Sequence, residues 1–107
     1  MPQIDAKVIW PDGQSNPTVD KDPITVPSAN GATVIQWKCG TNVASFQITG
    51  LSATEFSNPA SNGWVTVFTT TDQNNDAVTY SYTVTATHTT GKTASHDPRI
   101  ENGSGAE

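Results

Sequence analysis

The stretch Thr79-Tyr-Ser-Tyr-Thr-Val-Thr-Ala-Thr-His-Thr89 alternates without a break over eleven residues. Thr79, Ser81, Thr83, Thr85, Thr87 and Thr89 fall on one side, and Tyr80, Tyr82, Val84, Ala86 and His88 on the other. Successive side chains of a strand point to opposite faces, so this segment predicts a strand with a hydroxyl side and an apolar side. The apolar side must be buried against a second layer. No stretch shows helical periodicity of useful length, so that layer has to be another sheet.

Composition agrees. A chain of 107 residues makes one domain, and it holds 17 Thr against only 14% charged residues. Thr suits strands, and sparse charge disfavours solvated helices. The seven Pro and eight Gly fall mostly between the apolar runs, where turns belong. Residues 1–101 read as a single domain, with 102–107 as a disordered tail that has nothing to bury.

The net charge is −5, and the five basic residues, Lys7, Lys21, Lys38, Lys92 and Arg99, are dispersed. Without a basic stripe the expectation is no nucleic-acid partner and no anionic membrane. No apolar run approaches the roughly 20 residues a spanning helix needs. The first residues, Met-Pro-Gln-Ile-Asp-Ala-Lys, lack the form of a secretory signal. The expected location is cytoplasmic, unless the chain begins after a removed leader. A lone Cys39 permits no internal disulfide and reads as a small buried hydrophobe on the Trp37 side.

Strands are expected over 5–10, 24–26, 33–39, 43–49, 64–70, 77–89 and 92–100, with 14–22 a polar loop and 50–63 a crossing anchored by Leu51 and Phe56. Pro23 and Pro27 make the second of these a short edge strand. Parity places Ile35, Trp37 and Cys39 opposite Thr33, Val34 and Lys38. It sets Ala44, Phe46 and Ile48 opposite Val43, Ser45, Gln47 and Thr49, and turns Val78, Tyr80, Tyr82, Val84 and Ala86 inward. With Ile9, Trp64 and Phe68 these faces would form one core. The fold class is all-β, an antiparallel Ig-like β-sandwich of about seven strands.

Asp22-Pro-Ile-Thr-Val-Pro, a Trp strand, a Phe strand, Val65-Thr-Val, Asp72-Gln-Asn74, Tyr80-Ser-Tyr-Thr-Val and Asp97-Pro-Arg-Ile-Glu-Asn102 follow in that order. This resembles a loose group of small, mostly uncharacterised bacterial Ig-like β-sandwich proteins whose last strand carries Asp-Pro-x-Ile-x-Asn. The resemblance spans about residues 22–102. It implies a sandwich and brings no activity with it.

Several residues invite a chemical reading. Asp72-Gln-Asn-Asn-Asp76 opens like a calcium loop, with oxygen-bearing side chains at alternate positions. Ala77 stands where that pattern wants Gly, and Thr83 where it wants Glu, so a polar hairpin tip is the simpler reading. His88, His96, Asp97 and Cys39 suggest a copper-like site, and the two histidines could face one another across the Thr90-Gly91 turn, but the only Met is Met1. No Ser sits in a Gly-x-Ser-x-Gly elbow. A carboxylate pair would have to come from Asp5, Asp20, Asp22, Glu55, Asp72, Asp76 or Asp97, most of them in turns. Trp10 and Trp64 lie at strand ends, where a ring caps a core or stacks on a sugar. A regular Thr row also raises ice binding, but the twist of sandwich strands spoils the lattice match.

The expected function is therefore a non-catalytic binding or structural module. It would engage a protein partner, or a second copy of itself, through an edge strand or the Thr-rich face. No catalytic residue, cofactor or metal ligand is assigned. The alternatives are a carbohydrate-binding module using Trp10 or Trp64 and a weak calcium-binding loop at 72–76.

Overall fold

The computed structural model describes residues 2–52, 54–57 and 63–103. The strands are β1 (Gln3–Ile9), β2 (Thr18–Val19), β3 (Ile24–Val26), β4 (Thr33–Cys39), β5 (Val43–Thr49), β6 (Phe56–Ser57), β7 (Val67–Asp72), β8 (Thr79–Ser81), β9 (Thr83–His88), β10 (Thr93–His96) and β11 (Arg99–Asn102). One layer is a five-stranded sheet in the order β2-β1-β4-β7-β6. Two three-stranded sheets, β10-β9-β5 and β3-β11-β8, pack against it. The fold is an all-β sandwich. Two of its pairings, β1 with β4 and β3 with β11, run parallel, so it is not wholly antiparallel. No helix among the described residues is long and apolar enough to cross a membrane.

The alternating segment that predicted one strand is a strand that changes sheets. β9 pairs with β5 and β10, whereas β8 pairs with β11. The break falls at Tyr82, opposite Asp97-Pro98 on the returning arm. Pro98 has no N–H to give to a ladder. It contributes its carbonyl instead, which accepts from Tyr82 N at 3.1 Å. The register is the same on both sides of the break, His96 opposite Val84 and Arg99 opposite Ser81. Residues 79–88 and 93–102 are thus one long hairpin shared by two sheets. Such breaks, with the two-residue strands β2 and β6, raise the expected seven strands to eleven among the described residues.

The core forms where the hairpin bends. Trp37 is fully buried in β4, with Phe68 and Tyr82 rings edge-on at 5.8 and 5.5 Å. Its indole N–H donates to Tyr82 Oη at 3.1 Å, which satisfies two polar groups that burial would otherwise strand. Ile24, Ile35, Phe46, Val84 and Ile100 complete the interior, each stabilising by about 25 cal/mol per Å² of apolar surface removed from water.

Parity fails at identifiable places. Thr33 shares the side of Ile35 and Trp37 and is buried, not outward. A β-bulge between Val43 and Ser45 turns Val43 inward and leaves Ala44 exposed, the reverse of the expectation. Val78 precedes β8 and is exposed. Trp64, expected in the core, is 48% exposed, and Ile9 and Cys39 are only half-buried. β11 continues through Asn102, one residue beyond the expected end of the domain, and residues 104–107 lie outside the described residues.

Candidate functional site

The alternation that buries Phe68 and Thr70 in β7 also carries Asp72, the last residue of that strand, into the interior, where it is 0% exposed. The same rule applied to β11 buries Ile100 and then Asn102, which is 3% exposed. Glu55, in the turn before β6, is 5% exposed. Its carbonyl accepts from Gln73 N at 2.9 Å, which pins the turn beside the end of β7. Asp76 closes the group from the loop that follows.

These four side chains meet at one point. Asn102 Nδ2 lies 2.8 Å from Glu55 Oε2, 3.0 Å from Asp72 Oδ1 and 3.1 Å from Asp76 Oδ1. A carboxamide nitrogen has two hydrogens, so three carboxylate oxygens compete for them. Two further atoms are buried with no partner, Asp72 Oδ2 and Asn102 Oδ1. No Lys or Arg pairs with any of the three acids among the described residues. Crowded carboxylates repel one another, and the buried pair Glu55 and Asp72 also loses hydration, whereas Asp76 stays partly exposed.

The loop is held as if to keep this crowding in place. Asn74 adopts a left-handed backbone, φ 52°. Its N–H donates to Asp72 Oδ1 at 2.9 Å, and its Nδ2 donates to the carbonyls of Pro27 and Gly31 at 2.8 and 2.9 Å. Its Oδ1 accepts from Gly103 N at 3.1 Å. One asparagine therefore ties the acidic turn to the start of β4 and the end of β11.

Burial pushes the Asp72 carboxyl up to about 6; the Asn74 N–H and Asn102 amide oppose this, and neighbouring Glu55 adds to the rise. The Tyr80 hydroxyl donates to Asp76 Oδ2 at 2.5 Å, which holds Asp76 below the usual carboxylate range. The same bond pushes Tyr80 up to about 12. Among the described residues no group of three or more Asp, Glu, His or Cys side chains is placed to hold a metal ion as the structure stands. At this cluster, the focus of the acids is filled by the Asn102 amide nitrogen.

The other candidates are placed apart from this cluster. His96 lies opposite Val84, and its Nε2 is 2.9 Å from Asp22 Oδ2. His88 packs edge-on against Trp10 at 5.1 Å, and its Nδ1 accepts from Thr90 N at 3.1 Å. The two histidines do not face one another, and Cys39 is on a strand of the opposite layer. Trp10 is a buried cap whose indole N–H donates to the Gln14 carbonyl at 2.9 Å, so it offers no open face to a sugar. An open polar cleft of about 510 Å³ is lined by Trp10, Asp12, Gln14, His88, Thr90 and Lys92.

The Thr row is the outer face of the three-stranded sheet. Thr85 lies between Gln47 and Ser95, and Thr87 between Ser45 and Thr93. Thr85 and Ser95 hydroxyls bond across the strands at 2.8 Å, and Thr83 Oγ1 donates to Asp97 Oδ1 at 2.9 Å.

The sequence offers Glu55, Asp72 and Asp76 among its candidate acids but does not show that they meet, and Asn102 falls in the expected tail. Glu55 is seventeen positions before Asp72, and Asn102 thirty after it. The available signal was period two itself, which places an acid after Phe68 and Thr70, and an amide after Ile100, on inward positions. The chain matches no protein-family model, and no curated protein matches it.

Proposed function

We propose that this chain is a non-catalytic β-sandwich module that binds one calcium ion where Glu55, Asp72, Asp76 and Asn102 meet. The observation that carries the reading is the single amide nitrogen serving three carboxylates at 2.8–3.1 Å, with a buried carboxylate oxygen and a buried amide oxygen beside it that have no partner. Such a group is short of positive charge. Three carboxylates and one carboxamide supply up to about seven oxygens, within the six to eight that Ca²⁺ takes at about 2.3–2.6 Å. Mg²⁺ is smaller and sheds water reluctantly, which suits this buried setting less well. The ion would be structural. It would join the turn before β6, the end of β7 and the end of β11.

Terbium luminescence tests the site directly. Tb³⁺ shares calcium's preference for oxygen, and Tyr80, hydrogen-bonded to Asp76, would stand beside it as a sensitiser. Excitation of tyrosine should give green emission that Ca²⁺ reverses and that Asp72→Asn abolishes. Emission unaltered by that substitution would place the ion elsewhere.

A second reading, docking of a protein partner or a second copy of this chain, is favoured by the face built of Ser45, Gln47, Thr85, Thr87, Thr93 and Ser95. Apart from Gln47 its side chains are short, so little rotamer freedom is lost on contact, and it carries none of the Lys or Glu that keep sheet faces apart. Light scattering at rising concentration tests self-association. A dimer that Thr85→Lys dissolves supports the face, and a monomer at every concentration leaves only a foreign partner for it.

A further inference from the structure

We infer that a second copy of this chain adds to the open edge of β10, strand against antiparallel strand, and joins two three-stranded sheets into one of six. The inference rests on neither the calcium ion nor the Thr-rich face. His88 N donates to Lys92 O at 2.7 Å and Tyr82 N to Pro98 O at 3.1 Å, so the even-numbered residues of the returning arm bond inward to β9 and Tyr82. The N–H and C=O groups of Thr93 and Ser95 therefore point away from β9, and among the described residues nothing bonds to them. Further along, the same edge is covered: Arg99 N donates to Asp22 Oδ1 at 3.2 Å, and β3 lies beside β11. The other sheet edges offer a partner less. β2 and β6 have two residues each, β8 has three, β3 lies between Pro23 and Pro27, and Phe46 of β5 exchanges both its backbone bonds with Val65.

β10 lacks the devices that keep edges apart, since Thr93-Ala-Ser-His96 holds no Lys, Glu, Pro or bulge. Length and charge select the occupant. The edge is open only between the Gly91 turn and the point where Asp22 reaches Arg99, which suits a strand as short as β10 itself better than a long extended peptide. With Ala94 on the two-fold axis, Thr93 and the second copy's Ser95 exchange both backbone hydrogen bonds, and symmetry repeats the exchange. Small side chains then meet across the seam, Ala94 against Ala94 and Thr93 against Ser95. The same register sets Lys92 opposite the second copy's His96, and His96 Nε2 lies 2.9 Å from Asp22 Oδ2. The lysine of each copy thus reaches toward the Asp22 carboxylate of the other, and Lys92 has no ion pair of its own among the described residues.

Light scattering and amide hydrogen exchange on the full chain in a chelator, at low and high concentration, decide it. A dimer should form as the chain approaches about 1 mM, because an interface this small is weak. The Thr93 and Ser95 amides should be fast in the dilute monomer and about tenfold slower in the dimer. Ser95→Pro removes an outward N–H and no bond to β9, so it should keep the fold and abolish the dimer. Lys92→Glu sets acid against acid twice across the seam and should weaken the dimer about tenfold. Thr85→Lys, on the face, should leave the dimer intact. A monomer up to that concentration overturns the inference. So does a dimer whose Thr93 and Ser95 amides stay fast, one that Thr85→Lys dissolves, or one that survives in a folded Ser95→Pro. Should Ser95→Pro fail to fold, the wild-type amides and Lys92→Glu decide between the same two results.

Discussion

A carboxylate without solvent and with one oxygen unused is costly to keep charged, and Asp72 is such a group. Its folded pKa of about 6 stands above the ordinary carboxylate value, chiefly through burial and in part through Glu55. Between the unfolded and folded values the native state therefore holds more protons than the unfolded one. Stability of the metal-free protein should fall as pH rises from about 4 to 6.5, by on the order of 2 kcal/mol from this group. Asp76, hydrogen-bonded by Tyr80 and held low, titrates below that window. Urea melts across that range in a chelator test this, and Asp72→Asn should flatten the curve. At the core, Tyr82→Phe removes the acceptor of the Trp37 indole N–H and should cost about 1–2 kcal/mol, seen as a lower urea midpoint with unchanged slope.

At the scale of elements, legibility followed the period of two. β4 and β5 begin and end where the alternation places them, and Ile35, Trp37, Phe46, Tyr82, Val84 and Ala86 are buried as read. What parity cannot carry is an inserted residue. The bulge in β5 keeps Phe46 and Ile48 inward but reverses Val43 and Ala44, and nothing in Val-Ala-Ser announces it. Ala44→Lys should therefore change stability by no more than about 0.5 kcal/mol, whereas Phe46→Ala should cost about 3–5 kcal/mol. Nor does the local pattern of 79–89 disclose that it serves two sheets, because that is decided by Pro98 across the hairpin. The acids of the site were legible as candidates, but only Asp72 and Asp76, within one loop, were legible as neighbours. Glu55 and Asn102 reach it through pairing between distant strands, and such pairing is a property of the fold. Gly103, next to Asn102, is tied to the same geometry. It has φ 65°, and a Cβ there would lie 3.0 Å from the Asp76 carbonyl. Gly103→Ala should lower the melting temperature and weaken calcium binding together.

For the molecule as a whole, the acidic end is where the sandwich is least self-sufficient. The bend of the long hairpin at Tyr82 is closed by Trp37, Phe68 and a satisfied hydrogen bond. The end at Asp72 and Asn102 is closed by competing acceptors around one amide. An ion at that point would couple β6, β7 and β11 across the two layers. Hydrogen exchange should then slow on adding Ca²⁺ at Phe56, Asn74, Asn102 and Gly103, with little change in β5 and β9. Binding to the folded state alone also raises the melting temperature with ion concentration. The most direct measurement is calorimetric titration of the full chain with Ca²⁺, beside Asp72→Asn and Asp76→Asn. The wild type should show one saturable site per chain, and either variant none. No heat up to millimolar calcium, with an unshifted melting temperature, would contradict it.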